Sequence, residues 1–161
     1  MRALLVVLLL VIAPAVAPRT ARAECMSSPS AAHSYQTRLS PRAGILCLYI
    51  ADVYAGGACE GEPAWSVELS CGETSRLAVT DRGRLISILA PRASRPEWNI
   101  VRITTRDRAP VRIPLGDLPG ASALRGAVRL DFDGGALRLR SRAGEVRVTF
   151  DALEALAEPT G

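Results

Sequence analysis

The sequence has no lysine: all 20 of its basic residues are arginine. Schiff-base lysines, the phosphate-loop Gly-Lys-Ser/Thr signature and Ser-x-x-Lys nucleophile pairs are therefore excluded. The one histidine, His33, rules out His-x-x-x-His and three-histidine metal sites within a single chain. Aromatic residues make up only 4% of the chain, too few for a base-stacking platform. No Gly-x-Ser-x-Gly elbow occurs. No two cysteines stand at the close spacing of a zinc site. No cofactor or metal is expected.

Long apolar runs are also missing. The longest, Ala3 to Ala13, has 11 residues, short of the roughly 18 needed to span a bilayer. Arg2 precedes it, Pro14 and Pro18 break the stretch beyond it, and Ala21-Arg22-Ala23 supplies a small-x-small cleavage pattern. Residues 1–23 thus read as a secretory signal peptide, with Glu24 first in the mature chain and no transmembrane segment left after cleavage. Ala23-Glu24 does not suit lipidation of Cys25, and there is no Arg-Arg pair for a twin-arginine route. The expected location is periplasmic or extracellular.

Removing the leader changes the charge argument. The whole chain carries +4, but the mature part has 17 arginines against 16 acids, a net of +1. A global nucleic-acid reading loses its support. The charge is nevertheless uneven: −4 over 24–75, +8 over 76–147 and −3 over 148–161.

What the sequence does have is four cysteines, Cys25, Cys47, Cys59 and Cys71, all in its first half. In an exported chain they read as two disulfides with three possible connectivities. The reading favours Cys25–Cys47 with Cys59–Cys71, which would pin the Gly-rich loop 56–61 to the end of the next strand. The rival ties Cys47 to Cys71 across two core strands.

Residues 24–44 are Ser/Pro/Ala-rich without periodicity and read as an irregular arm. Beyond them, 45–161 reads as a single β-rich domain. Residues 45–54 are apolar on both alternating faces, as in a doubly buried strand. Clear alternation comes next. Trp65, Val67, Leu69 and Cys71 share one face; 77–79 and 84–89 form a hairpin about Asp81-Arg82-Gly83; 98–105 and 111–115 form another. Pro114 makes the last of these an edge strand. Val128, Leu130 and Phe132, then Leu137 and Leu139, then Val146, Val148 and Phe150 alternate with charged residues in a three-stranded meander. Asp151 with Glu154 reads as a capping box for a short terminal helix docked through Leu153 and Leu156. The sum is an all-β fold, a small antiparallel sandwich or open barrel of about eight or nine short strands.

The meander's polar face carries Arg129, Arg138, Arg140 and Arg147, close enough through cross-strand pairing to form one anion-binding patch. Asp131, Asp133 and Glu145 share that face, so ordinary surface ion pairing competes with this reading. Asp131-Phe132-Asp133-Gly134-Gly135 lacks the third ligand and distal Glu of a calcium loop and reads as a turn. His33 sits in the loose arm, a poor place to hold a general base near Ser34, Ser40 or Asp52. Trp65 and Trp98 begin strands and suit plugs at the end of a core. The functional expectation is a non-enzymatic binding or accessory module for an acidic glycan, a lipid head group or an acidic protein. The alternatives are a small secreted hydrolase and a structural envelope component.

Overall fold

About eight or nine strands were expected from residue 45 onward; nine form there, and two more precede them. The computed structural model describes residues 24–27, 34–56, 58–74, 76–89 and 100–158. The leader, His33 and Trp98 lie outside these residues.

The strands form three antiparallel sheets, each linked strand to next strand, in a sandwich-like arrangement rather than a closed barrel. The first contains β1 (Glu24–Ser27), β2 (Tyr35–Pro41), β3 (Leu48–Ala55) and β4 (Trp65–Ser70). A one-turn helix, α1 (Cys71–Thr74), comes after it. The second sheet contains β5 (Leu77–Val79), β6 (Leu85–Leu89), β7 (Ile100–Thr104) and β8 (Val111–Pro114). The third contains β9 (Arg129–Asp133), β10 (Ala136–Ser141) and β11 (Gly144–Thr149), with β10 central. Helix α2 (Phe150–Leu156) closes the described chain.

The second sheet is the shared layer. Ile86, Ile88, Val101 and Ile103 pack with Leu130, Leu137, Leu139 and Val148 of the third sheet and with Phe150 and Leu153 of α2. Its other face gives Leu77, Val79 and Leu85 to Ala51, Val53 and Leu69 of the first sheet. This double burial explains why β6 reads Leu-Ile-Ser-Ile-Leu with little polar alternation. The meander alternates as expected because only one face is covered. Its first turn is Gly134-Gly135, both at positive φ (52° and 78°), as a two-residue hairpin turn of this hand requires. Pro114 falls on β8, the edge of its sheet.

Several local expectations differ from the structure. Segment 24–44, expected to be irregular, supplies β1 and β2; cross-strand pairing with β3 overrides its weak local pattern. Strand β4 ends at Ser70, and Cys71 opens α1. The cap of α2 is Thr149, whose Oγ1 accepts from the Ala152 amide at 3.3 Å. Asp151 lies inside the helix, so Glu154 is too far along to complete a capping box. Phe150 and Leu153 dock the helix, whereas Leu156 is 45% exposed.

The cysteines pair as Cys25–Cys59 and Cys47–Cys71, with Cα separations of 6.0 and 4.8 Å. The favoured Cys25–Cys47 pairing fails on register. Cys25 stands opposite Arg38, while Cys47 lies beyond the far end of the β2–β3 hairpin, roughly 13 Å further along the strands. A disulfide bridges Cα atoms no more than about 7 Å apart. Each bridge closes a loop long enough to contribute about 3–4 kcal/mol through the unfolded chain.

Bridge Cys47–Cys71 fixes the start of α1, which lies against β6 and carries the buried Glu73. Glu73 accepts from the Ser70 amide at 3.0 Å and the Ser70 hydroxyl at 2.9 Å. Its other oxygen takes Arg102 Nη1 of β7 at 2.5 Å. Burial on its own raises the carboxyl pKa, but the Ser70 and Arg102 hydrogen bonds outweigh it and hold Glu73 below the ordinary glutamate range. The depressed value means that the carboxylate stabilises the fold above the ordinary value of about 4.3, and that this contribution is lost as pH falls through the folded value.

Two measurements check this framework. Mass mapping of the non-reduced protein should recover peptides joined as Cys25–Cys59 and Cys47–Cys71. Glu73→Gln should lower unfolding stability near neutral pH by about 3 kcal/mol, because Arg102 is left as a largely buried charge without its partner. It should also flatten the loss of stability below about pH 4.3. Parallel denaturant titrations of both proteins across acid pH read both effects.

Candidate functional site

The arginines of the meander do assemble on one face. Register sets Arg138 opposite Asp131 and Arg147, and Arg140 opposite Arg129 and Glu145. Most of their forks are occupied, however. Arg138 Nε lies 3.0 Å from Asp131 and its Nη1 2.9 Å from Asp133. The hydrogen bond that Arg138 donates to Asp131 raises the Arg138 pKa further above its already high value. Arg140 Nε meets Glu145 at 2.9 Å. Arg147 donates to the carbonyls of Asp133 and Gly134, both at 3.3 Å. Arg129 alone of the four has neither an ion pair nor a side-chain hydrogen bond among the described residues. An incoming anion would have to displace carboxylates that are already well placed.

A concave site forms elsewhere, where one end of the first sheet meets two turns of the second. The β5–β6 turn is closed by the Gly83 amide donating to the Thr80 carbonyl and the Thr80 amide to the Arg84 carbonyl, each at 2.9 Å. Gly83 has φ +70°, and a Cβ there would lie 2.8 Å from the Tyr35 ring. The absent side chain lets Tyr35 of β2 press directly on the turn. Beside it stands Trp65 of β4, half-buried against the core between the first two sheets, so it serves both as the expected plug and as a wall.

These residues enclose a cleft of about 340 Å³ whose rim carries Arg82, Arg84, Arg106 and Arg108. Arg84 is held by Glu158 at 2.9 Å. Among the described residues Arg106 meets Asp107, its neighbour, at 3.8 Å with both side chains largely exposed, a contact of little energetic weight. Arg108 has no ion pair among the described residues. Two guanidinium groups are therefore available beside two aromatic rings, on a hairpin that projects its cations over an open cleft.

Behind the same turn lies a second cavity of about 250 Å³ with the opposite charge. Asp81, Asp151 and Glu154 line it, together with Thr80 and the Gly134-Gly135 turn. Glu154 is 1% exposed. Its Oε1 accepts from Thr80 Oγ1 at 2.5 Å, and its Oε2, 3.3 Å from Arg82 Nη1, receives no hydrogen bond from the described residues. Arg82 lines both cavities.

Nothing in the sequence pattern marked either cavity. Arg82 and Gly83 read as an ordinary hairpin turn, Arg106 and Arg108 as another, and Glu154 as a cap partner. The +8 balance of 76–147 was the one usable signal, and it pointed to the region without choosing a face. On the outer face of the first sheet, Asp52 accepts from Ser66 Oγ at 2.7 Å and from Arg38 at 3.4 Å. All four cysteines are in bridges. Among the described residues no helix is long and apolar enough to cross a membrane. Comparison with family models, with curated proteins and with solved structures finds no match, so the function rests on this geometry.

Gly83→Ala tests the contact that shapes the cleft. The added methyl both strains a left-handed position and meets Tyr35, so the variant should lose about 2 kcal/mol of stability in chemical denaturation.

Proposed function

We propose that the chain is an exported, non-enzymatic module that binds an anionic ligand in the cleft between Tyr35, Trp65 and the arginine turns. The observation that carries this reading is the pair of uncommitted guanidinium groups, Arg106 and Arg108, set over a 340 Å³ cleft with an aromatic wall. Guanidinium forks match carboxylate and phosphate geometry. The cleft volume lies at the small end of the range for ligand sites. Export is supported by the leader-like residues 1–23 and by two disulfides.

The meander face is the second reading, favoured by Arg129, Arg138, Arg140 and Arg147 standing together on adjacent strands. One experiment separates the two. Mature protein 24–161 is titrated with a short polyglutamate and with an acidic oligosaccharide across a salt series. It is compared with Arg106→Glu/Arg108→Glu and with Arg138→Glu/Arg140→Glu. Binding should weaken with salt, fall at least about tenfold in the first variant and change less than about twofold in the second. The reverse pattern would move the site to the meander. Absence of binding to either probe would overturn the anion reading.

A further inference from the structure

The two cavities share one wall, and their charges oppose each other across it. On the cleft side of Arg82 stand Arg84, Arg106 and Arg108. On the other side stand Asp81, Asp151 and Glu154. Glu154 is a buried carboxylate with one oxygen that receives no hydrogen bond from the described residues. Arg84 Nε lies 3.9 Å from Oε1, and the cation beside Oε2 is Arg82, whose side chain is 61% exposed and whose nearest nitrogen is 3.3 Å away. A buried charge demands a close, hydrogen-bonded partner, and this oxygen has only a long contact to a surface side chain. Glu154 Oε2 is itself buried, so a ligand cation in the second cavity would reach it by taking the place of the Arg82 side chain. It would also free Arg82 to turn toward the anion in the first.

From this we infer that the groove takes a dipolar ligand: a peptide segment bearing a carboxylate side chain and, close by in sequence, an ammonium or guanidinium side chain. The inference rests on the cleft being the anion site. The anion sits among Arg84, Arg106 and Arg108; the cation sits against Glu154 and Asp151. No three of the described carboxylate, thiol or imidazole groups converge as metal ligands, so the acidic side suits an organic cation. A zwitterionic lipid head group has the same charges but needs an apolar seat beside them. The exposed aliphatic pair Ile45 and Leu46 lies in the β2–β3 hairpin, at the end of the first sheet away from Tyr35 and Trp65. That placement favours the peptide.

The test uses capped peptides carrying one glutamate and one lysine separated by glycine spacers of different length. The same peptides with lysine replaced by norleucine report the anion alone. Titration calorimetry on the mature protein should show the best Glu/Lys peptide binding about tenfold more tightly than its norleucine counterpart, the ratio expected for one charge-assisted hydrogen bond. Asp151→Asn, at an exposed position, should reduce that advantage to about threefold or less and leave the affinity for the norleucine peptide unchanged. Equal affinity for both peptides would overturn the dipolar assignment while the anion site stands. An advantage that survives in both Asp151→Asn and Glu154→Gln would overturn it as well, because the cation would then lie elsewhere. Binding of neither peptide would overturn this assignment and the anion site together. Preference for phosphatidylethanolamine vesicles over every peptide would overturn the peptide class.

Discussion

The Glu73–Arg102 ion pair is the interaction on which the layering depends. Glu73 belongs to the turn of helix that ends the first sheet, and Arg102 to a central strand of the second. Neither charge has much solvent to fall back on, so the two sheets are held in one relative position wherever both ionise. The Ser70 amide and hydroxyl complete the carboxylate's shell, and the Cys47–Cys71 bridge fixes the start of the helix that carries it. Apolar burial drives the sheets together, but it is non-directional. The ion pair selects a register for that contact, and the cleft at the sheet end inherits its shape from that choice.

A second buried carboxylate does the same work at the other end of the molecule. Glu154 joins the terminal helix to the β5–β6 turn through Thr80, while Arg84 reaches both the Glu154 carbonyl and Glu158. The turn that carries Arg82 is thereby held from behind by the helix and from in front by Tyr35. A surface turn fixed on both sides can present a cation at a defined place, which a free loop cannot do without losing conformational entropy on binding.

Strand positions were readable because period-two alternation reports directly on burial, and the meander from Val128 to Phe150 shows it clearly. Strands β1 and β2 were not readable. Their residues, such as Gln36, Thr37 and Ser40, take strand form from pairing partners far along the chain. The favoured pairs Cys25–Cys47 and Cys59–Cys71 failed for a related reason: spacing favours near neighbours, whereas the rival Cys47–Cys71 is the bridge that forms, and Cys25 meets Cys59 only because a loop folds back across a sheet edge. The arginines of Arg129 to Arg147 were correctly placed on one face, yet sequence cannot say which guanidinium groups are already engaged. The cleft draws on three separate turns and strands, so no local motif announces it.

The bridges interleave along the chain: 25 joins 59, and 47 joins 71. A polypeptide that crosses a membrane from its N-terminus exposes Cys25 and Cys47 to the oxidant first, while both native partners are still behind. Oxidation in order of emergence would therefore link the wrong two thiols. Reaching the native pairs then requires either that oxidation wait for Cys59 and Cys71 or that an isomerase exchange the early bond. Wherever oxidation outruns the arrival of Cys59 and Cys71, the yield of the native pairs is thus tied to thiol–disulfide exchange.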